Sequence, residues 1–181
     1  MLDVLLGAIS LGLLWAVMTI GVYITYRILD IADLTVEGSI AMGAAIAAKA
    51  ITEGINPFAA TALALIGGLA AGLVTGLLHT KLKIPALLSG ILTMIALYSV
   101  NLHIMGKANI SLLRMDTVYT PLTKLGITSN NSIIILGFIC VAAIVGILYW
   151  FFGTELGSAI RATGNNPKMV RAQGINTNVM K

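Results

Sequence analysis

The chain has 181 residues, 58% of them hydrophobic and only 10% charged, with a formal net charge of +4. Soluble domains carry about 25% charged residues, so this composition excludes an ordinary soluble domain and indicates a polytopic membrane protein. The eleven Lys and Arg are scattered between apolar runs and form no basic stripe interleaved with aromatics, which excludes nucleic acid as the expected partner.

A charge at the bilayer centre costs at least ~2.5 kcal/mol, so intervals free of Asp, Glu, Lys and Arg bound the possible spans. Five such intervals cover residues 4–26, 38–48, 54–80, 84–106 and 125–154. They predict an all-α integral membrane protein: a polytopic helix bundle over residues 1–153 with about five membrane segments, near 4–29, 38–51, 57–79, 85–106 and 132–153. The first segment follows Met1-Leu2-Asp3 with no basic leader, and its apolar run is too long for a signal-peptide core. It reads as an uncleaved span.

The second segment, GSIAMGAAIAA, has eleven residues between charges and rises only about 16 Å as a helix. It needs either Lys49 to snorkel or polar backbone from the preceding loop inside the membrane zone. That loop, RILDIADLTVEGS, holds Asp30, Asp33 and Glu37, three of the seven acids in the chain. Two readings stand. The acids face water in an ordinary interfacial loop, or a broken segment formed by Asp33, Leu34, Thr35, Glu37, Gly38 and Ser39 lines a solute pathway, because irregular backbone at membrane depth is tolerated only when buried or facing a watery cavity.

The third segment carries Ala60, Ala64, Gly68, Gly72 and Gly76 at i+4 spacing, a small-residue ridge that predicts close packing of another helix. The loop 107–131 has apolar residues suited to an interface or an external partner. Its Asn109 and Asn130 begin N-x-S triplets too common by chance to signify glycosylation. Cys140 is the only cysteine. It offers no disulfide framework or metal spacing, and within an apolar run it reads as a small buried hydrophobe.

If every segment crosses, one side holds Arg27, Lys81, Lys83, Arg161, Lys168, Arg171 and Lys181, and the other holds Lys49, Lys107, Arg114 and Lys124. The positive-inside bias then makes the first side cytoplasmic, the N-terminus and the 107–131 loop external, and 154–181 cytoplasmic. This orientation inverts if the second segment turns back without crossing.

The last stretch, GSAIRATGNNPKMVRAQGINTNVMK, is the least apolar. It has Asn166 as N-cap, Pro167 at the first helical position and Gly174 at the C-terminal cap, which together predict a short helix over 167–173. Such a helix is marginal alone and is expected to dock on something. Thr177 reads as a second N-cap, and the sequence stops where a further helix begins, so the chain is expected to be the front part of a longer protein.

Here the chain resembles a known family. This stretch is similar to the cytoplasmic coupling segment of permease subunits of bacterial ABC importers, in the group that includes the branched-chain amino acid and ribose permeases. GLLWAVMTIGVYITYRILDIADLTVEGSIAMGAA resembles the first span, broken loop and small-residue helix of that group. ADLTVEGS and KLKIPALLSGILTMIALYSVNLHIMG look closest to a branch labelled tryptophan or tyrosine transport permease. Family members continue for further spans. The resemblance implies that Arg161, Asn166, Pro167, Lys168, Arg171, Gly174 and Ile175 meet an ABC ATPase subunit. It also implies a second permease subunit as a homodimer partner, an extracytoplasmic substrate-binding protein, and a multi-pass location in the bacterial cell membrane.

No G-x-x-x-x-G-K-[ST] is present, so ATP chemistry is expected on another chain and no cofactor is expected on this one. A self-contained secondary transporter or channel would place ionisable groups inside its spans, and outside the 30–37 loop the spans have none. An intramembrane enzyme needs a catalytic constellation or metal ligands. His79 and His103 are the only histidines, on different segments and in no metal-binding pattern, so neither catalytic residues nor a metal site are expected.

Overall fold

The computed structural model describes residues 1–113, 115–124 and 129–180. Arg114 and Lys181 of the charge partition, and residues 125–128 of the expected external loop, lie outside them. Every regular element among the described residues is helical. In chain order they are α1 (Leu2–Tyr23), continued by a π-helical turn at Ile24–Ile28, α2 (Thr35–Thr52), α3 (Pro57–Thr80), α4 (Ala86–Met105), α5 (Thr120–Lys124), α6 (Ser129–Phe152), α7 (Glu155–Asn165), α8 (Pro167–Ala172) and α9 (Thr177–Met180). Val4–Ile28, Pro57–Thr80, Ala86–Met105 and Asn131–Phe152 are long and apolar enough to cross a membrane. The protein is an all-α polytopic membrane protein.

Local chemistry sets the boundaries. Asn56 caps α3, its side-chain oxygen accepting from the Phe58 amide at 2.9 Å with Pro57 at the first position. Gly106, at φ +67°, ends α4 in the left-handed region that glycine enters without a Cβ penalty. Inside the spans, Thr19, Thr61, Thr80 and Thr93 each donate to the carbonyl four residues back. A hydroxyl in hydrocarbon is thereby satisfied within its own helix.

The contacts divide the chain into two compact units: Met1–Ile31 with Tyr119–Lys181, and Ala32–Val118. Within the first of these, the helices after residue 153 pack on the first span and on α6: Gly157 of α7 lies on the Phe151–Phe152 backbone and Gly164 on the carbonyl of Ile28.

In the second unit, α2 runs antiparallel to α3 and parallel to α4. Thr35 meets Thr75 while Ile46 meets Gly67, whereas Leu34 faces Gly90 and Gly38 faces Met94 and Leu97. α2 has 18 residues, about 27 Å at 1.5 Å per residue. It is longer than the interval 38–48 because the charges bounding that interval are accommodated inside the helix. Glu37 sits in the first turn, where the helix dipole favours a carboxylate, and Lys49 pairs with Glu53 at 3.1 Å.

Part of the small-residue ridge packs among the described residues. The buried positions of α3 are Ala60, Gly67, Ala71 and Thr75, with Ala64 half-buried against Gly43. A Cβ on Gly68, Gly72 or Gly76 would meet nothing within 4 Å. The reason is geometric: each i+4 step turns about 40° past a full circle, so an unbroken row of five residues drifts around the helix, whereas the packed set interrupts that drift with one step of three, from Ala64 to Gly67. Cys140 is likewise exposed on α6 rather than buried.

Candidate functional site

Two places concentrate the residues singled out by the sequence, one in each unit.

In the second unit, α2 begins below the ends of its neighbours. Gly90, which faces the 33–35 backbone, lies about 6 Å along α4 from its start at 1.5 Å per residue, and Thr75 lies more than a turn before the end of α3. Irregular backbone therefore enters at that depth. Asp33 folds it by accepting from the Thr35 amide at 2.8 Å, and the Thr35 and Thr75 hydroxyls meet in a buried hydrogen bond at 2.8 Å. Gly90 is a close-approach glycine. A Cβ there would lie 2.8 Å from the Leu34 nitrogen and 3.1 Å from Asp33 Oδ1. Leu34 is exposed, Gly38 is buried on α4, and the half-buried Ser39 donates to the Val36 carbonyl at 3.0 Å.

Glu37 is exposed and opens onto a hollow of about 420 Å³ that it shares with Gly38, Ala41, Met94, Tyr98 and Asn101. Asn101 is only 7% exposed, and its side-chain oxygen has no hydrogen-bond partner among the described residues. Leaving such an acceptor unpaired costs about 1–3 kcal/mol. Gly90, Thr75 and Asn101 escaped the sequence reading, which tracked charges; an asparagine inside an apolar run was the available signal.

In the first unit, α7, α8 and α9 form a small helical fold around Val170, Thr163 and Thr177, all at most 1% exposed. The side chain of Asn166 caps α8, accepting from the Met169 amide at 3.1 Å with Pro167 at the first position. At the other end Gly174 has φ +84° and donates to Arg171 O at 3.0 Å, while Ile175 donates to Val170 O at 3.3 Å. These two bonds satisfy the last carbonyls in a Schellman arrangement. The short helix is stabilised by burying Val170 within its own unit.

That burial selects what α8 presents outward: Lys168 and Met169 are exposed, the latter 49%. The two arginines assigned to partner contact are engaged internally. Arg161 donates to the Phe152 carbonyl at the end of α6 at 2.7 Å. Arg171 Nε donates to Thr177 Oγ1 at 2.6 Å, so Thr177 stands at the first position of α9 holding Arg171, with Asn176 before it at the capping position. Seating comes from residues the sequence did not mark, Gly157 and Gly164, where any Cβ would collide with backbone. Of the two histidines, His79 braces the α3–α4 turn, its Nδ1 within 2.9 Å of the Ile84 carbonyl.

The comparisons with known proteins agree with this architecture. The chain is 41% identical over 177 residues to the tyrosine transport system permease protein of Clostridioides difficile (strain R20291), covering 98% of this chain and 57% of that protein. It is 27% identical to the inner membrane ABC transporter permease protein YjfF of Escherichia coli (strain K12), over 95% of this chain and 49% of that one. With the ribose import permease protein RbsC of the same strain it shares 29% identity, over 92% and 51%. The chain thus spans about half the length of these relatives. No solved structure matches it. The profile of the family described as branched-chain amino acid transport system, permease component, matches residues 4–181, and the chain belongs to this ABC-type permease family.

Proposed function

We propose that this chain is a permease subunit of an ATP-driven importer for a small solute, an amino acid, and that residues 157–175 couple it to a separate ATPase subunit. The observation that carries this reading is the self-supporting fold of α7–α9, which buries Val170 and leaves the capped α8 to present Lys168 and Met169. An exposed methionine flanked by a cation suits an apolar groove with an acidic rim on a partner. Arg161 and Arg171 brace this segment, while Asn166, Pro167, Gly174 and Ile175 hold its helix in shape. A second copy of the permease, an external substrate-binding protein and a bacterial cell-membrane location complete the proposal, with the coupling segment cytoplasmic by the positive-inside bias.

The amino-acid assignment draws on the 41% identical tyrosine permease and on the chemistry near the start of α2. The Glu37 carboxylate and the unpaired Asn101 oxygen are acceptors for an ammonium group, and Tyr98 supplies a ring beside them. Gly38 lines that hollow beside Glu37, and the pathway reading extends it to Asp33, Leu34, Thr35 and Ser39, the broken backbone and first turn just before it, of the kind that binds solutes in other transporters. The test is a cross-link. In a Cys140→Ala background, Met169→Cys in the assembled transporter is expected to react with the ATPase through a short bifunctional thiol reagent, and Leu156→Cys on α7 is not. Equal cross-linking from both, or from neither, contradicts the assignment of α8.

A further inference from the structure

Two hollows meet where the first and last spans end in the unit formed by Met1–Ile31 and Tyr119–Lys181. One, of about 680 Å³, is polar and lined by Tyr23, Tyr26, Arg27, Asp30, Arg161 and Asn165 with the backbone around Gly164. The other, of about 620 Å³, runs along the apolar flank past Ile20, Ile24, Val145 and Leu148. Tyr23, Ile28 and Arg161 line both. Together they make one cleft with a charged head and a greasy tail.

We propose that this cleft binds a single anionic phospholipid of the phosphatidylglycerol type, its phosphodiester between Arg27 and Arg161 and an acyl chain along Ile24 and Val145. Three features select that ligand. The cleft joins a phosphate-sized cationic end to an apolar channel, which a free phosphate ester cannot fill and a lipid can. Its charge is complementary: two guanidiniums against the one carboxylate of Asp30 leave a single positive charge, which one phosphodiester neutralises and a zwitterionic headgroup does not. Donors are available too. Arg161 commits one N–H to the Phe152 carbonyl and keeps the rest of its fork for phosphate. Arg27 makes no ion pair with any described residue, and the Tyr23 and Tyr26 hydroxyls lie at the span end, where tyrosine belongs at a membrane surface.

Asp30, held at φ +54°, offers an acceptor to the hydroxyls of a glycerol headgroup. The lipid would rest on Gly164 and Asn165 of α7, so it would brace the same helix that carries α8. Basic pockets at the ends of spans are general lipid headgroup sites.

The test is native mass spectrometry of the membrane-inserted chain, titrated separately with phosphatidylglycerol, phosphatidylethanolamine and soluble glycerol 3-phosphate. Phosphatidylglycerol is expected to bind in one-to-one stoichiometry above the other two. Arg27→Gln should weaken it about fivefold, the worth of one basic residue at an anionic surface. Arg27→Lys should restore most of that loss, and Lys83→Gln, which removes the same charge outside this unit, should change nothing. Val145→Trp, which fills the tail of the cleft without altering charge, should also reduce lipid binding. Glycerol 3-phosphate binding as tightly as the lipid would overturn the proposal in favour of a soluble phosphate site. Equal losses from Arg27→Gln and Lys83→Gln would overturn it in favour of bulk charge alone.

Discussion

α1 and α4 are both apolar enough to cross a membrane, yet they are built on opposite principles. None of the most apolar stretch of Val4–Ile28 is buried, whereas 28% of that of Ala86–Met105 is. The buried positions of α4 are Ser89, Gly90, Thr93, Leu97 and Asn101, nearly all small or polar. On α1 the exposed side chains include Leu5, Leu11, Leu14, Trp15 and Val22. Lipid is as apolar as leucine, so hydrophobicity gives a span no reason to turn inward. Small and hydroxyl-bearing residues do, through close approach and hydrogen bonds. Among the buried positions of α4, glycine, serine, threonine and asparagine outnumber the single leucine, so small and polar residues mark its packed face within this unit.

The sharpest way to break this contrast is a pair of glycine substitutions. Gly90→Val drives a branched side chain into the Leu34 nitrogen and Asp33 carboxylate. It is expected to cost several kcal/mol, at or beyond the ~1–3 kcal/mol typical of overpacking, because the obstructing atoms are backbone. Gly12→Val on α1 meets nothing within 4 Å and is expected to leave the melting temperature in detergent almost unchanged. Similar losses from both would show that burial does not separate the two helices.

Asn101→Leu comes next and has the opposite sign. Removing a buried, unpaired acceptor is expected to raise stability by about 1–3 kcal/mol, while uptake of the proposed amino-acid substrate by the reconstituted transporter falls. A variant that is both less stable and normally active would show that Asn101 is satisfied in the folded protein and has no part in transport.

Smallest is the effect expected at the apparent ridge. Gly72→Leu lies on open space and should stay within about 0.5 kcal/mol, whereas Gly67→Leu, five residues earlier and buried against the Ile46 side chain, should cost about 1–3 kcal/mol as Ile46 is pushed aside. A large loss at Gly72 would mean that another helix covers that face.

These cases show what the sequence could and could not express. Span positions were legible because charges are expensive in lipid, and the α8 helix was legible because Asn166, Pro167 and Gly174 spell its start and stop locally. The helix α2 runs beyond the charge-free interval 38–48 and the segment 38–51, because a dipole at Glu37 and a Glu53 partner at Lys49 accommodate both charges inside it. Of the ridge, Ala60 and Ala64 pack within the unit, while Gly68, Gly72 and Gly76 reach a face no described residue covers, because i+4 periodicity drifts around a helix over several turns. The seats of Gly90 and Gly164 were illegible, since their partners, Leu34 and Ile28, lie far away in sequence. The Arg171–Thr177 hydrogen bond was illegible too, since only the fold of the 173–177 turn brings the two side chains together.

The engagement of Arg171 also decides how coupling is best tested. A change there would disturb the α8–α9 bond and any partner together, so the outward pair Lys168 and Met169 is the cleaner target. The direct measurement is substrate-stimulated ATP hydrolysis by the assembled transporter carrying Lys168→Glu with Met169→Asp, both on the exposed face of a helix whose caps and Val170 anchor are untouched. Stimulation is expected to fall at least tenfold while copies inserted in the membrane keep the wild-type melting temperature; unchanged stimulation would contradict the claim that α8 is where this permease meets its ATPase.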